Sequence, residues 1–379
     1  MSAGLLEIAA LFAKLGATAF GGPAAHIAMM HEEVVNRRRW LTNEEFLDLV
    51  GATNLIPGPN STELAIHIGH RQAGWRGLAV AGSCFILPAM VIVTACAWAY
   101  VKYGTLPQAA GLLYGVKPVI IVIVLQALWS LGRSAINTKF MWVICIAGVL
   151  LGLAGVHELL ILALGAAVAG LGGRALQALR IMVAAGPFTL LAQSASVPAA
   201  AAATSFGLWP LFLFFLKVGS VLFGSGYVLL AFQRADLVER WHWLTESQLL
   251  DAVAVGQITP GPVFTTATFI GYVLGGFSGA LIGTVGIFLP AFFFVAISGP
   301  LVPRIRSSPT ASAILDGVNA ASLALMAVVG YQLGRSALVD IPAVLLGVAS
   351  AVGLLYFRLN STWLVLGGAL AGILWKALA

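Results

Sequence analysis

Two short segments rich in proline and glycine contain the residues best suited to chemistry in this sequence. The first, Pro57-Gly58-Pro59, is followed directly by Asn60-Ser61-Thr62, and the second, Pro260-Gly261-Pro262, comes shortly before Thr265. Proline fixes φ, lacks an N–H donor and disfavours a helical conformation in the residue before it. Each segment therefore predicts a break in a helix, with a new helix beginning after it.

A helix that begins within a membrane is suited to binding an anion. Its first turn presents N–H groups without intrahelical partners and about half a positive charge, and this favours an anion without burying a full cation. Glycine-rich breaks upstream, at Phe20-Gly21-Gly22-Pro23 and Phe223-Gly224-Ser225-Gly226, predict two further helix starts. Packing kinks are the alternative, but two matched pairs of breaks favour a site. The residues predicted to bind the anion at these breaks are Gly21, Gly22, Pro23, Pro57, Gly58, Pro59, Asn60, Ser61, Thr62, Gly224, Ser225, Gly226, Pro260, Gly261, Pro262 and Thr265.

Two lysines lie inside apolar runs, one before each glycine-rich break. Lys14 and Lys217 occupy equivalent positions in the two halves of the chain. A charge at bilayer depth costs about 2.5–3.5 kcal/mol on insertion scales, so a matched pair predicts a cationic cavity for the substrate. The alternative is that each lysine extends its charged end to the membrane interface.

Several acidic or histidine side chains near the breaks are candidates for carrying a coupling proton. Glu63 follows the first Pro-Gly-Pro segment, whereas Thr266 stands opposite it in the second half, so this acid breaks the symmetry. A helix-capping or solvating role is the alternative for each. The candidate proton carriers are Glu63, His67, Asp48 and Asp251.

The composition predicts an all-α polytopic membrane protein in a lipid bilayer. Of 379 residues, 60% are hydrophobic and 9% charged, and the mean hydropathy is +0.98, whereas soluble domains carry about a quarter charged residues. The net charge of +6 does not indicate nucleic acid, because basic residues lie in short loops between apolar runs. Cys84, Cys96 and Cys145 lack ligand spacing, so neither a metal site nor a cofactor is predicted.

The second half of the chain repeats the first at a nearly constant offset. Trp40-Leu41-Thr42 recurs 203 positions later as Trp243-Leu244-Thr245, and the two Pro-Gly-Pro segments have the same separation. After a one-residue deletion the offset becomes 202, as it is for Gly74 and Gly276. Chance similarity between apolar helices does not explain such matches. We therefore predict a first repeat (1–173), a linker (174–207) and a second repeat (208–379).

Each repeat is predicted to have about five spans and one re-entrant hairpin. The arms around each Pro-Gly-Pro segment are too short for the roughly 20 residues that a span needs. An odd number of crossings inverts the second repeat, and loop charges then place both termini outside. Inverted repeats with interrupted helices are typical of secondary transporters. Beyond the broken first helix, the predicted spans are about 77–101, 110–133, 139–156, 158–173, 280–300, 311–334, 341–357 and 361–376.

The motifs together resemble the chromate ion transporter (CHR) family, specifically its long two-domain type, over nearly the whole chain. The resemblance rests on Phe20-Gly21-Gly22-Pro23, Arg39-Trp40-Leu41-Thr42, Pro57-Gly58-Pro59 and their counterparts in the second half. It implies an inner-membrane protein that exports chromate, confers chromate resistance and couples transport to an ion gradient. The second repeat departs from the pattern, since Ser225-Gly226 replaces Gly-Pro and Trp241-His242 replaces two arginines. Unequal contributions of the two repeats are therefore expected.

Several functions remain open at this point. Chromate and sulfate are both tetrahedral dianions, so a sulfate-type oxyanion permease or an importer is an alternative to a chromate exporter. Pro-Gly-Pro-Asn also occurs in exporters of amino acids, which leaves a small organic solute open as substrate. A membrane-bound chromate reductase would need a redox centre, but the sequence has neither CxxC nor paired haem histidines, so we do not expect an enzyme. A homodimer is left open.

Overall fold

A computed structural model describes residues 3–20, 22–104, 107–136, 138–172, 206–223, 228–306, 308–357, 359 and 361–378. The predicted all-α fold is confirmed, with fourteen α-helices and no strand among these residues. The helices of the first repeat are α1 (Leu5–Thr18), α2 (Gly22–His31), α3 (Asn43–Thr53), α4 (Asn60–Tyr103), α5 (Pro107–Ala135), α6 (Lys139–Leu153) and α7 (Glu158–Leu171). Those of the second are α8 (Leu208–Val221), α9 (Leu229–Gln233), α10 (Glu246–Ile258), α11 (Thr266–Arg306), α12 (Pro309–Ala337), α13 (Ile341–Leu355) and α14 (Ser361–Leu378).

The first helix of each repeat is interrupted where the glycine-rich segments predict. α1 ends before Ala19 and α2 begins at Gly22, while α8 ends before Leu222 and α9 begins at Leu229. Ala19 and Leu222 are both extended, with φ near −80° and ψ near 110°. Each broken helix continues into a π-helix, at Glu32–Arg37 and Arg234–Arg240. Gly21, Gly224, Ser225 and Gly226 lie outside the described residues.

The arm that precedes each Pro-Gly-Pro segment is a helix with a capped start. The side chains of Thr42 and Glu45 cap the start of α3 reciprocally, and Thr245 and Gln248 do the same for α10. Such a capping box satisfies two N–H groups that a helix start leaves unpaired. α3 ends at Thr53 and α4 begins at Asn60, so the predicted break between these arms lies at the proline-rich turn.

Both α4 and α11 reverse direction near their beginnings. Gly74 has φ 59° and Gly276 has φ 61°, a left-handed conformation that favours glycine. In α4, a Cβ added to Gly69 would lie 2.3 Å from the Gly77 carbonyl oxygen, so the two arms pack against each other backbone to backbone. Each helix therefore consists of a short arm, which belongs to the hairpin, and a long arm that follows the turn. In α4 these arms are residues 60–72 and 75–103.

The two repeats have opposite orientations. In the structure α5 packs against α12, which is its own counterpart, and the contacts show the direction of each helix. A Cβ at Gly334 would contact Ile121, one at Gly330 would contact Val124, and one at Gly132 would contact Leu323. One helix therefore ascends as the other descends, as the predicted inversion requires. One apolar core cluster contains residues of both repeats.

The lengths of the apolar helices fit a multi-pass membrane protein. By length and composition, five helical segments among the described residues could cross a membrane: Asn60–Tyr103, Gly111–Arg133, Val263–Ser298, Pro309–Ala337 and Ser361–Leu378. The helices α6, α7 and α13 have only 14–15 residues and are two or three residues shorter than predicted at their ends. At 1.5 Å per residue they reach about 21–23 Å, less than the roughly 30 Å hydrocarbon core, so the bilayer must adapt locally.

Candidate functional site

The hairpin of each repeat contacts the broken helix of the other repeat. The N–H of Gly58 donates to the Leu222 carbonyl at 2.8 Å, and the N–H of Gly261 donates to the Ala19 carbonyl at 2.9 Å. Donors and acceptors are each 203 positions apart, so the two bonds are related by the duplication. We call this region, formed by Ala19, Gly58, Leu222 and Gly261, the crossing, and Pro57–Pro59 and Pro260–Pro262 the first and second tips.

Local sequence explains why the crossing forms. A helix end leaves carbonyl groups without intrahelical donors, and the breaks after α1 and α8 present two such carbonyls. Gly58 and Gly261 have φ 140° and 90° and so turn the chain sharply between prolines. A Cβ at Gly261 would lie 2.5 Å from the Ala89 Cβ and 2.9 Å from the Gly16 carbonyl oxygen. Glycine is therefore required at the second tip by both conformation and space.

The half-helix that begins after the first tip has unsatisfied polar groups. The N–H groups of Thr62 and Glu63 both bond to the Pro59 carbonyl, and those of Asn60 and Ser61 precede the first intrahelical bond. Thr62 and Glu63 are both 0% exposed, yet within the part of the chain that the structure describes neither the Thr62 hydroxyl nor either carboxyl oxygen of Glu63 has a hydrogen-bond partner. Asn60 is half-buried, which leaves this helix start partly open.

The half-helix after the second tip begins at a buried segment, and its threonine hydroxyls donate hydrogen bonds to nearby backbone carbonyls. Thr265 donates its hydroxyl to the Pro262 carbonyl at 2.8 Å, and Thr266 donates to the Val263 carbonyl at 2.7 Å. All three residues of Pro260–Pro262 are buried. A short 3₁₀ turn, Val263–Thr265, also delays the start of α11. The second tip therefore offers fewer free donors to a ligand than the first.

Gly22 and Pro23 form the beginning of α2, the helix that follows the first glycine-rich break. Gly22 has φ 78° and a Cβ there would meet nothing within 4 Å. The sequence analysis missed His26 on this helix, which is 1% exposed and donates from Nε2 to the Ala19 carbonyl at 3.1 Å. The same carbonyl accepts from Gly261, so His26 contributes directly to the crossing. A lone histidine four residues after Gly22 was the available signal.

Both predicted lysines are ion-paired. The Lys14 ammonium lies 3.0 Å from Oε1 of Glu33, and Lys217 contacts Asp236 in the same way. These two acids are also 203 positions apart and almost fully buried, so the whole pair is duplicated. The sequence analysis missed the acids because their residue types differ. The structure thus adds a structural role for each lysine beside the predicted role in binding substrate.

The four proton-carrier candidates have different surroundings. Glu63 is described above, and His67 is 7% exposed on the same arm. Asp48 is exposed on α3. Asp251, its counterpart, is buried and forms an ion pair with Lys117 at 3.3 Å.

Lys117 was missed in the sequence analysis, although it is the one charged residue between 107 and 132. Its ammonium also donates to Ser247 at 2.6 Å, and Tyr100 donates to Asp251 at 2.9 Å. Lys117 and Tyr100 belong to the first repeat, whereas Asp251 and Ser247 belong to the hairpin of the second. This partly buried cluster therefore connects the two repeats.

Comparisons with known proteins identify the family. A family model described as chromate transporter matches residues 6–171 and 209–373, which is most of both repeats. The chain belongs to the chromate transporter family. The chromate transport protein of Cupriavidus metallidurans is 33% identical over 375 residues, covering 97% of this chain and 92% of that protein. No solved structure matches the chain.

Two further full-length relatives carry similar names. The chromate transport protein of Pseudomonas aeruginosa is 32% identical over 380 residues, covering 97% of this chain and 91% of that protein. A probable chromate transport protein of Synechococcus elongatus is 31% identical over 387 residues, covering 98% and 95%. The resemblance predicted from the motifs is therefore confirmed. The two ranges matched by the family model leave 172–208 between them, close to the predicted linker.

Proposed function

We propose that this member of the chromate transporter family is a secondary transporter that exports chromate across the inner membrane by alternating access, and thereby confers chromate resistance. The observation that carries the proposal is the crossing, where Gly58 and Gly261 each bond to a broken helix of the opposite repeat. The names of the full-length relatives support chromate as substrate.

The helix starts next to the crossing supply the chemistry for a tetrahedral dianion. Backbone N–H groups at the start of a half-helix bind an anion through partial charges, without a fixed cation that would hold the anion too tightly. The hydroxyls of Ser61 and Thr62 and the amide of Asn60 provide further donors at the first start. This site would accept sulfate as well as chromate, so competition between the two is expected.

The inverted arrangement suits alternating access. Each tip contacts the other repeat's broken helix through one described backbone hydrogen bond, a small interaction that a rocking motion can exchange at a cost of about 0.5–1.5 kcal/mol. The first helix start is partly open and the second is closed. Since inverted repeats can interchange their conformations, we propose that the opposite-facing state opens the second start and closes the first.

Isotopic chromate uptake into membrane vesicles tests the substrate and the direction together. In cells that express the protein, we expect inside-out vesicles to accumulate chromate and right-side-out vesicles not to, with excess unlabelled sulfate reducing the uptake. A matched Gly261→Ala variant that reaches the membrane should show no uptake. Accumulation only in right-side-out vesicles would show an importer, and failure of both kinds of vesicle to accumulate chromate would favour an organic solute as substrate.

A further inference from the structure

The carboxyl group of Glu63 lies directly against the first tip. A Cβ added to Gly58 would be 2.2 Å from Oε1 of Glu63, so the carboxyl folds back over the glycine at the start of its own half-helix. The side chain is 0% exposed, and neither oxygen has a hydrogen-bond partner within the described residues. A buried polar group without a partner is costly. Such a group indicates a missing ligand, and for a carboxyl the simplest ligand is a proton.

The equivalent position in the second repeat shows that an acid is not needed to build this helix start. Thr266 occupies it and donates to the Val263 carbonyl. Each tip nevertheless donates the same glycine N–H to the opposite repeat. Glu63 therefore has no evident structural role that a hydroxyl could not fill.

One other titratable group near Glu63 also lacks a partner: His67 is buried, and its Nε2 has no hydrogen-bond partner within the described residues. His67 and His70 follow it on the same arm of α4, and His26 of α2 bonds to the Ala19 carbonyl. Between Thr266 and Ser298 on α11 the one titratable side chain is Tyr272. The remaining charged groups on helices α1, α3 and α10, which pack against α4, are exposed or ion-paired: Glu7, Lys14, Glu44, Glu45, Asp48, Glu246 and Asp251.

We infer that Glu63 holds a proton at the first half-helix start and binds the substrate dianion only in this form, because the ionised carboxylate and the dianion would exclude each other there. Each dianion then binds together with one proton, which Glu63 takes up from solution. The inference rests on the proposed function and adds to it the identity of the coupling ion and of the residue that carries it.

Electrostatics supports mutual exclusion. Two like charges about 4 Å apart repel by about 4 kcal/mol at an effective dielectric constant near 20, more than the 0.3–2 kcal/mol that a helix start contributes to one charge. A protonated carboxyl removes this repulsion and can donate a hydrogen bond to an oxygen of the dianion. The proton taken up on binding can be released by Glu63 after the dianion leaves, so charge and protons balance over the cycle.

Equilibrium binding of isotopic chromate to the purified protein tests the inference, over an alkaline pH series in which chromate remains a dianion. Since binding requires one proton on Glu63, the wild-type affinity should fall about tenfold per pH unit above the pKa of this carboxyl. Glu63→Gln should bind chromate with an affinity independent of pH, and at the highest pH more than tenfold tighter than wild type. Glu44→Gln, which removes an exposed carboxyl from α3, should keep the wild-type slope.

Glu63→Thr, which copies the second repeat, is the second test variant and should behave as Glu63→Gln does. In weakly buffered solution, wild type should take up about one proton per dianion bound and both variants none. Wild-type binding without a pH slope, a slope that survives in both variants, or loss of binding in both would overturn the role of Glu63 alone. Failure of the wild type to bind or transport chromate at any pH would overturn the proposed function, and this inference with it.

Discussion

The two half-helix starts share a backbone but differ in chemistry. Both follow a Pro-Gly-Pro tip that donates one N–H to the opposite repeat, at 2.8 and 2.9 Å. At the first start Thr62 and Glu63 are buried with unpaired oxygens, whereas at the second Thr265 and Thr266 donate to nearby carbonyls. Both repeats thus keep the tip and its hydrogen bond, whereas the unpaired polar groups that could bind a ligand are concentrated at the first half-helix start. Symmetry of fold is therefore a poor guide to which repeat contacts the substrate.

The first arms of the two hairpins, α3 and α10, also differ, but here the buried polar group lies in the second repeat. Asp48 on α3 is exposed, but its counterpart Asp251 on α10 is buried with Lys117 and Tyr100. A buried charge is expensive unless it is paired and hydrogen-bonded, and here both conditions are met across the repeat boundary. The second repeat thus supplies the stronger structural connection, while the first supplies the more open helix start.

The largest expected effect comes from breaking the ion pair of Asp251. Removal of one member of a buried pair leaves the other charge uncompensated and costs about 3–5 kcal/mol. We expect Asp251→Asn to lower the apparent melting temperature in detergent by many degrees, measured by size-exclusion chromatography after heating. Asp48→Asn, the matched change in the first repeat, should stay within about 0.5 kcal/mol of wild type. Equal melting temperatures for the two variants would contradict the comparison.

A second pair of variants compares the tips themselves. At Gly261 a Cβ meets the Ala89 side chain and the Gly16 backbone, whereas at Gly58 it meets the end of the Glu63 side chain. Backbone cannot move aside as a side chain can, so Gly261→Ala should cost about 2–4 kcal/mol and Gly58→Ala about 1–3 kcal/mol. Both should abolish chromate uptake in vesicles, since both distort the crossing.

The double variant Gly58→Ala with Glu63→Thr refines this test. The second substitution removes the colliding carboxyl, so we expect the melting temperature lost in Gly58→Ala to return in part, with the remainder reflecting the positive φ. Glu63→Thr should give no such rescue of Gly261→Ala, because the collision there involves Ala89 and Gly16. Equal rescue at both tips would show that the carboxyl is not the obstacle.

Much of the architecture could be predicted because proline, tryptophan and glycine carry strong positional information. Pro57-Gly58-Pro59 and its counterpart mark helix breaks by their covalent chemistry, and the constant offset of 203 identified the repeats. Gly74 and Gly276 matched at an offset of 202, and both occupy a left-handed turn. Such residues are recognisable because few others can replace them.

Contacts between the repeats could not be predicted, because the two tips present the same residues and either could meet either break. The exchange, in which Gly58 meets Leu222 and Gly261 meets Ala19, depends on how inverted helices pack. Lys117 was identifiable as a lone charge in an apolar run, but its partner lies 134 residues away on another hairpin. Prediction of that pair requires knowing which helices are neighbours.

The smallest expected loss of stability comes from removing the lysine of either duplicated ion pair. These variants can distinguish a structural role of the lysine from a role in substrate binding. Glu33 also contacts Arg37 and Arg38, whereas Asp236 has Arg240 as its other described cation. Loss of Lys14 therefore leaves its acid with two cations and should cost less than about 1 kcal/mol, because the lysine side chain itself is largely exposed. Loss of Lys217 leaves one cation beside a nearly buried acid and should cost about 1–2 kcal/mol.

Chromate resistance in cells that carry Lys14→Ala distinguishes the two roles of this lysine. A lysine that contributes only to stability would leave resistance and melting temperature nearly unchanged, because Glu33 keeps its other partners. The proposed role in attracting the dianion instead requires resistance to fall sharply at an almost unchanged melting temperature, with recovery in Lys14→Arg, which keeps the charge. We expect the second result, since the Lys14 side chain is 55% exposed and so can reach an approaching anion. Normal resistance in Lys14→Ala would confine this lysine to structural support.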